Sequence, residues 1–260
     1  MSENLIYCYS GSGNCLDMAK NIAKELGDTE IVMMRSFPVK TDATEAKRVG
    51  FIFPCYGGGL PGNVESYVKA IQIGINSYKF AIVQYAGYKG CGLHKIDKIV
   101  DLDYWNGMSN HCSCIWLMPH YLTVPPLPRK LSQKRSEAMA KKIAADIKAT
   151  KRSEEKPPKG TVFALESKLL SSQNTKRIKK FTVNENCVSC GQCAKICPQG
   201  NITYSDARPA FGTNCIGCLS CVQYCPSKAI NIGSITKHRA RYHNANITAE
   251  ELTEKTFHIE

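Results

Sequence analysis

Short apolar runs alternate with helix-period stretches over residues 1–150 of the chain. The runs are β-branched or aromatic and end at turn residues, which is typical of strands. We predict strands at Leu5–Tyr9, Glu30–Met34, Val49–Cys55, Phe80–Tyr85 and Cys114–Met118. Between and after them, apolar positions recur every three or four residues, as in helices that bury one face. We predict helices at Asn14–Leu26, Pro61–Ile73, Leu93–Leu102 and Ser132–Thr150.

This alternation of strands and helices predicts an α/β fold with a doubly wound, five-stranded parallel sheet. Its final predicted helix is followed by Lys151–Gly160, which is charged and Pro-rich and so favours an exposed link. A short helix is expected at Thr161–Ser172. We therefore divide the chain into a domain at 1–150, a basic connector at 151–180 and a second, smaller domain with a tail at 181–260.

Composition narrows the class of protein. At 43% hydrophobic residues the chain can bury a core, which excludes wholesale disorder. No stretch approaches the roughly 18 consecutive apolar residues that a membrane span needs. Met1–Tyr9 lacks the basic flank and apolar core of a signal peptide, so a cytoplasmic location is expected. The formal net charge of +12 is ambiguous, because it fits nucleic acid, an acidic partner surface or solubility alone.

Eight of the fourteen cysteines fall between Cys187 and Cys225 and form an internal repeat. The run C-x2-C-x2-C-x3-C-P begins at Cys187 and begins again at Cys215, and no histidine lies within or between the two runs. Zinc and disulfides are the alternatives, but structural zinc prefers separated ligand pairs and disulfides need an oxidising compartment. The run instead predicts two [4Fe-4S] clusters, in which the fourth cysteine of each run serves the other cluster. The predicted ligand sets are Cys187, Cys190, Cys193 and Cys225 for one cluster, and Cys215, Cys218, Cys221 and Cys197 for the other.

A loop of small residues follows the first predicted strand and leads directly into a helix. A loop of this kind presents free N–H groups and a favourable dipole to an anion, although an ordinary tight turn would have the same composition. The loop has neither the third glycine of the dinucleotide fingerprint nor the P-loop lysine, which favours a single terminal phosphate. Its candidate residues are Ser10, Gly11, Ser12, Gly13, Asn14 and Cys15.

Two further glycine-containing loops follow the third and fourth predicted strands, at the edge where open α/β sheets bind ligands. Each offers an aromatic side chain that could stack on a flat ring. Their candidate residues are Pro54, Cys55, Tyr56, Gly57, Gly58 and Gly59 in the first, and Tyr85, Ala86, Gly87, Tyr88 and Cys91 in the second. Together the three loops resemble those of the flavodoxin family over about residues 3–150. The resemblance implies bound FMN, with its phosphate on the loop from Ser10 to Cys15 and its ring between the other two loops. Cys15 departs from the usual Thr or Ser, and a thiol is a weak donor.

The cysteine repeat, its prolines and the repeated isoleucines Ile202 and Ile230 resemble a bacterial-type two-cluster ferredoxin over about 181–233. The whole chain is similar to the flavodoxin–ferredoxin fusion proteins of anaerobic prokaryotes. The Ser-Gly-Ser-Gly-Asn loop, the Pro-x-Tyr-Gly-Gly loop and the tail Arg241–Thr248 carry this likeness. It implies an α/β flavodoxin-like domain joined to a small α+β ferredoxin domain.

The expected function is electron transfer between the clusters and FMN, with exchange to protein redox partners. The alternative is an FMN-dependent reductase of a small molecule, for which Tyr56, Tyr88 or His120 could donate a proton. Residues 151–186 hold nine basic and four acidic side chains, so an acidic partner of ferredoxin or flavodoxin type is expected. Nucleic acid is not expected, because the basic run Lys176–Lys180 lacks interleaved aromatics. A homodimer is left open.

The remaining cysteines and histidines are expected to play no special part. Cys112 and Cys114 would lie on the fifth predicted strand as small buried residues, and Cys8 and Cys55 on or at the ends of earlier strands. The six histidines show no metal spacing. The loop Pro119–Pro126 follows the fifth predicted strand, and it could cap the flavin, face the clusters or be a plain connection.

Overall fold

The structure is a computed structural model that describes residues 2–36, 40–115, 128–160, 180–234 and 236–260. The described helices are α1 (Asn14–Leu26), α2 (Val64–Lys69), α3 (Gly92–Val100), α4 (Arg129–Lys148), α5 (Gln192–Ile196) and α6 (Ser220–Gln223). The described strands of the N-terminal half are β1 (Asn4–Cys8), β2 (Thr29–Met33), β3 (Asp42–Ala43), β4 (Arg48–Pro54), β5 (Gln72–Ile73), β6 (Tyr78–Tyr85) and β7 (Tyr104–Ser109). Those that follow are β8 (Phe181–Val183), β9 (Ile202–Ser205), β10 (Arg208–Phe211), β11 (Ile230–Ile232) and β12 (Thr256–Ile259).

Six of these strands form one sheet in the order β12-β2-β1-β4-β6-β7. Strands β2, β1, β4, β6 and β7 run parallel, and β12 pairs antiparallel with β2. The chain moves outward from β1 to β2 and then crosses back to β4, so the switch point of the sheet lies between β1 and β4. The predicted α/β architecture with a largely parallel sheet is confirmed.

Both faces of the sheet are covered, because its strands alternate apolar side chains between two clusters. On β1, Ile6 and Cys8 join the cluster that contains α1 and α4, whereas Leu5 and Tyr7 join the cluster of α2 and α3. Every residue of β1 is buried, as expected for a central parallel strand with helices on both sides.

The fifth parallel strand of the described residues is β7, and the two described residues of the strand predicted at Cys114–Met118 are not in a strand. Asn106 and Gly107 interrupt the apolar pattern of β7, and as an edge strand it packs on one neighbour only, so its sequence did not stand out. Residues 112–114 have no regular structure and 115 lies in a turn, while 116–118 lie outside the described residues. Cys112 and Cys114 therefore follow β7 and lie outside any described strand, and both are only partly buried.

The sheet also contains a strand that the sequence did not predict. The tail returns to the N-terminal half, and β12 pairs with the outer edge of β2 in the register Phe257 with Ile31. Phe257 and Ile259 then pack against the cluster of α1 and α4. Within the described part of the chain the sheet consequently has six strands, and β12 closes its β2 edge.

The cysteine-rich part is a small unit of two antiparallel strand pairs, β9 with β10 and β8 with β11. Helices α5 and α6 are offset along the chain by the same interval as the two cysteine runs, and so are β9 and β11, which makes the sequence repeat a structural repeat as well. A separate apolar cluster holds it together; its members include Ile202, Val222 and Ile230. Within the described ranges no helix is long and apolar enough to cross a membrane. The predicted helix at Thr161–Ser172, the loop at Pro119–Pro126 with His120, and all but the last residue of Lys176–Lys180 lie outside the described residues.

Candidate functional site

Loops from both sides of the switch point meet at the carboxyl edge of the parallel sheet. They enclose a cavity that is open to solvent on one side. The predicted residues that line it are Ser10, Gly11, Ser12, Asn14, Cys15, Pro54, Cys55, Tyr56, Gly57, Tyr85 and Ala86. Gly13, Gly58, Gly59, Gly87, Tyr88 and Cys91 belong to the same loops but are not part of the lining. The structure thus brings residues from all three predicted loops to one cavity.

A fourth loop, after β7, also lines the cavity and was missed. Its lining residues are Asn110, His111, Cys112, Ser113 and Cys114, and Gln84 at the end of β6 adds to them. The loop was missed because the fifth strand was placed too late in the sequence. A strand ending at Ser109 would have predicted that the next residues reach the carboxyl edge. His111 is a lining residue with its ring centroid 5.3 Å from that of Tyr242.

The loop from Ser10 to Cys15 has the features of an anion cradle. It leads into α1, whose N-cap residue Gly13 has φ 89°, a left-handed conformation that suits glycine. Among the described residues, nothing hydrogen-bonds to the buried Ser10 Oγ. A buried hydroxyl without a partner costs free energy, so a ligand oxygen that bonded to it would be stabilised. Asp17, one turn into α1, does not line the cavity, and its carboxylate accepts a hydrogen bond of 3.0 Å from Asn246.

The two predicted ring loops are fixed against each other by backbone contacts. Cys91 N–H donates to the Gly58 carbonyl over 2.8 Å, and Cys55 N–H donates to the Gln84 carbonyl over 2.7 Å. Gly90 has φ +67°, and a Cβ there would overlap the Gly58 carbonyl oxygen. This close approach explains why glycine is needed at position 90. Like Ser10 Oγ, the buried Gln84 Nε2 has no hydrogen-bond partner among the described residues, which leaves a second donor beside the cavity.

One wall of the cavity comes from the cysteine repeat. Ile216, Gly217, Cys218 and Leu219 all line it. The contact is close, because Ser220 Oγ donates to the Gly11 carbonyl over 2.9 Å. A Cβ on Gly11 would lie 2.7 Å from the Cys218 carbonyl oxygen, so glycine is required where the two segments meet. Burial raises the pKa of the Tyr56 hydroxyl well above its usual value, so this lining side chain stays protonated.

The tail covers the outside of the cradle. Tyr242 Oη donates to Asn14 Oδ1 over 2.8 Å, and Asn244 N–H donates to the Ser12 carbonyl over 2.8 Å. A Cβ on Gly13 would lie 3.0 Å from Asn244 Cβ. The first loop is thus enclosed by segments from the opposite end of the sequence. No periodicity or local motif in the sequence signals these contacts.

The structure brings the cysteines of one predicted set to a single cavity and places members of the other set near one another. The lining of this cavity includes the whole set Cys187, Cys190, Cys193 and Cys225. In the other set, Cys197 and Cys218 are among the charges that raise the pKa of Cys215 and Cys221, although burial is the largest cause for both thiols. Burial raises the pKa of Cys215 to about 11. Thiols of this kind gain negative charge only when a metal centre compensates for it.

All fourteen cysteines are free thiols in the structure, so no disulfide joins them. Among the described residues, no three or more His, Cys, Asp or Glu side chains are arranged to hold a single metal ion. The donor set of two four-thiol groups fits cubane clusters, which take four cysteine ligands each. The two groups differ in exposure. Cys190 and its neighbour Val188 are exposed, the latter by 66%, whereas Cys218 and Cys221 are buried.

Comparisons with known proteins agree with the iron–sulfur prediction. Residues 138–243 match the profile of a family described as a 4Fe-4S dicluster domain. That range covers both cysteine runs and supports a redox role for the C-terminal half. No curated protein is similar enough to the chain to match it.

Solved structures similar to this chain include three oxidoreductases. One is the rubredoxin oxygen:oxidoreductase of Desulfovibrio gigas, at 15% identity and a TM-score of 0.37, covering 56% of this chain and 36% of that one. An azoreductase from Bacillus anthracis str. Sterne has 8% identity and a TM-score of 0.37, covering 55% of this chain and 99% of its own. An FMN-dependent NADH-azoreductase from Bacillus anthracis str. Ames Ancestor, in complex with FMN, has 9% identity and a TM-score of 0.36, covering 56% of this chain and 99% of its own.

Proposed function

We propose that the chain is an electron-transfer protein that binds FMN at the sheet edge and a [4Fe-4S] cluster at each cysteine set. Residues 1–150 then form a flavodoxin-like domain, 151–180 a connector, and 181–260 a bacterial-type ferredoxin domain with its tail. The strand order β2-β1-β4-β6-β7 supports this proposal, because it corresponds to the 2-1-3-4-5 order of flavodoxin, which binds FMN at its switch point.

The observation that carries the proposal is the shared wall of the large cavity. Cys218 is a predicted cluster ligand, and it lines the same cavity as the cradle residue Ser10 and the ring-loop residue Tyr56. A flavin in this cavity and a cluster on Cys218 would therefore be neighbours within one chain. FMN exchanges one or two electrons and a cluster exchanges one at a time, so the combination can gather or split electron pairs.

The chain's own residues have distinct tasks in this proposal. Ser10 Oγ and the N-terminal N–H groups of α1 would bind the phosphate, and Gln84 Nε2 would donate a hydrogen bond inside the cavity. The Ile216–Leu219 wall would exclude water from the side of the cavity that faces the cysteines. Tyr56, held protonated by its burial, would offer a neutral hydroxyl rather than a negative charge.

External redox proteins would exchange electrons at the first cysteine set, because it is the exposed one. Cys190 and Val188 are exposed at the surface, whereas Cys218 and Cys221 are buried. Electrons entering at the first set would reach the large cavity through the second set. The expected partner is an acidic protein of the ferredoxin or flavodoxin type.

The test is anaerobic purification followed by measurement of iron, sulfide and flavin. Eight irons, eight sulfides and one FMN per chain are the expected contents. A reduced ferredoxin should reduce both clusters and the flavin. Cys193→Ala should lower the iron content, whereas Cys91→Ala, which changes a buried cysteine outside both sets, should not. A protein without flavin or without iron would contradict the proposal. Catalytic reoxidation of the flavin by a small molecule would favour the alternative of an FMN-dependent reductase.

A further inference from the structure

Arg35 of the N-terminal half reaches across to the turn that carries Cys197. This half-buried residue follows β2, and its Nη2 donates to the carbonyls of Lys195 and Cys197, each over 3.0 Å. Its Nη1 donates to the Leu252 carbonyl in the tail over 2.7 Å. One guanidinium group therefore joins three segments of the molecule at a predicted cluster ligand.

The neighbouring Ser36 strengthens the same contact. Its N–H and its Oγ each donate to the Pro198 carbonyl over 2.8 Å. Helix α5 ends at Ile196, so the last carbonyls of this helix have no partner within it. Arg35 and Ser36 satisfy the backbone carbonyls around this helix end. The position of the Cys197 turn consequently depends on two residues from the N-terminal half of the chain.

Arg35 also brings a positive charge to the second cysteine set. Burial lowers the pKa of its guanidinium, while Cys197 and Cys218 lie close enough to oppose that shift. An arginine side chain nevertheless stays protonated in proteins. A cluster that gains one electron becomes more negative by one charge, so a fixed cation nearby stabilises its reduced form.

We propose that Arg35 is a positioning residue of the second cysteine set, and that its charge raises the reduction potential of the cluster there. This inference rests on the proposed function. The step concerned is the addition of one electron, donated by the reduced protein partner, to the cluster next to the large cavity. No bond forms or breaks in it. Arg35 thereby favours the presence of the electron on the cluster that adjoins the FMN site.

The experiment is a redox titration of the full-length, cluster-loaded protein, with each cluster followed by electron paramagnetic resonance. Arg35→Gln removes the charge and should lower the ratio of reduced to oxidised second-set cluster about tenfold at a fixed applied potential, which corresponds to about 59 mV for one electron. The signal of the other cluster should stay unchanged. Arg35→Lys keeps the charge and should shift the ratio less than Arg35→Gln.

Arg48→Gln is the matched control. Arg48 is also a partly buried arginine, but it pairs with Glu3 at the start of β4, roughly 20 Å along the strand from Pro54 and the cavity. The Arg48→Gln variant should leave the ratio of reduced to oxidised protein unchanged for both clusters. The titration is repeated in a Cys190→Ala background, which removes a ligand of the first set, and the signal that depends on Arg35 must survive there.

The results for Arg35→Gln either support or overturn the role proposed for Arg35. A shift of both clusters alike, or of neither, in Arg35→Gln would overturn the inference. If Arg35→Gln loses iron, loss from the second set alone with retention in Arg35→Lys supports the positioning role, and equal loss from both sets overturns it. Wild-type protein without clusters would instead contradict the proposed function, so the two failures are distinguishable.

Discussion

Ser10 has a buried hydroxyl whose hydrogen-bonding capacity is unused among the described residues. Removing it should therefore have opposite effects on the free and the flavin-bound protein. In Ser10→Ala the flavin-free protein should be as stable as the wild type or more so, because an unsatisfied polar group has been removed. Its affinity for FMN should fall by about 1.5–3 kcal/mol, the usual value of a hydrogen bond to a charged group, or roughly 10- to 150-fold.

Flavin fluorescence titration measures that affinity, and urea unfolding measures the stability. Ser66→Ala is the control, since Ser66 is an exposed serine of α2 outside the cavity. Equal FMN affinity in Ser10→Ala and the wild type would mean that the phosphate does not contact this hydroxyl.

Cys15 supplies a second test of the cradle. It lines the cavity and is 2% exposed, and burial raises its pKa well above the usual value, so it is a neutral thiol. A serine hydroxyl is a stronger donor than a thiol. Cys15→Ser should therefore bind FMN at least as tightly as the wild type, although it removes a thiol from an apolar cluster.

Cys8→Ser is the matched variant for Cys15→Ser, because Cys8 is fully buried in the same apolar cluster but does not line the cavity. Both variants should lose stability in thermal unfolding, while only the cradle position can alter the FMN affinity directly. Clearly weaker FMN binding by Cys15→Ser than by Cys8→Ser would contradict the placement of the phosphate.

Among the elements, β12 is a strand that the sequence analysis did not predict, and it extends the main sheet. It covers the edge of β2, where unpaired backbone groups would otherwise face solvent. Phe257 packs on the core and lies with its ring centroid 4.5 Å from Lys20 Nζ. Phe257→Ala should lower the free energy of unfolding by about 1–3 kcal/mol, less than a fully buried phenylalanine because this ring is only partly covered.

The control for Phe257→Ala is His258→Ala, on the next residue of the same strand. His258 is exposed, so its truncation should change the free energy of unfolding by no more than about 0.5 kcal/mol. Urea unfolding followed by circular dichroism measures both variants. Equal effects of the two substitutions would show that β12 contributes only its backbone.

Elements were predictable from the sequence where the pattern was local. The period of Met18 and Ile22 located α1, whereas the spacing of the cysteine runs revealed the repeat but not the helices α5 and α6 within it. Strand β7 was not predicted because Asn106 and Gly107 interrupt its apolar positions. Strand β12 was not predicted because its partner β2 is far away in the sequence, and no short-range pattern indicates such a pairing.

The candidate site likewise has parts that the sequence predicts from local signals and parts that depend on long-range packing. The cradle and ring loops follow strands with a clear apolar pattern, and glycine with small polar residues is a local signal. The cavity wall at Ile216–Leu219 and the hydrogen bond from the Arg35 guanidinium to the Cys197 carbonyl form only because the two halves of the chain pack together. Nothing in the spacing of either segment predicts that contact.

On the scale of the whole molecule, the basic excess is partly neutralised within the chain. The described start of the connector pairs with aspartates of the N-terminal half: Lys151 with Asp146, Arg152 with Asp103, and Lys156 with Asp97 and Asp101. Exposed pairs such as these contribute little to stability. They do engage basic side chains that would otherwise attract an acidic partner.

Electron exchange with an acidic ferredoxin should still slow as salt is added, because opposite charges on two proteins are screened over about 10 Å at 0.1 M ionic strength. We expect the second-order rate constant in stopped-flow reduction to fall severalfold between roughly 50 and 300 mM salt. Reduction by an uncharged small molecule should not change over that range. A rate independent of salt would remove the acidic partner from the proposed function.

The position of β12 also has a consequence for biosynthesis. The ribosome adds residues at about 5–20 per second, so the other five strands of the sheet emerge many seconds before Thr256–Ile259 do. Throughout that interval the nascent chain exposes the β2 edge, and the cradle loop lacks the tail residues that enclose it. Cofactors can therefore reach an open N-terminal half during synthesis, before Tyr242 and Asn244 enclose the loop and Thr256–Ile259 complete the sheet.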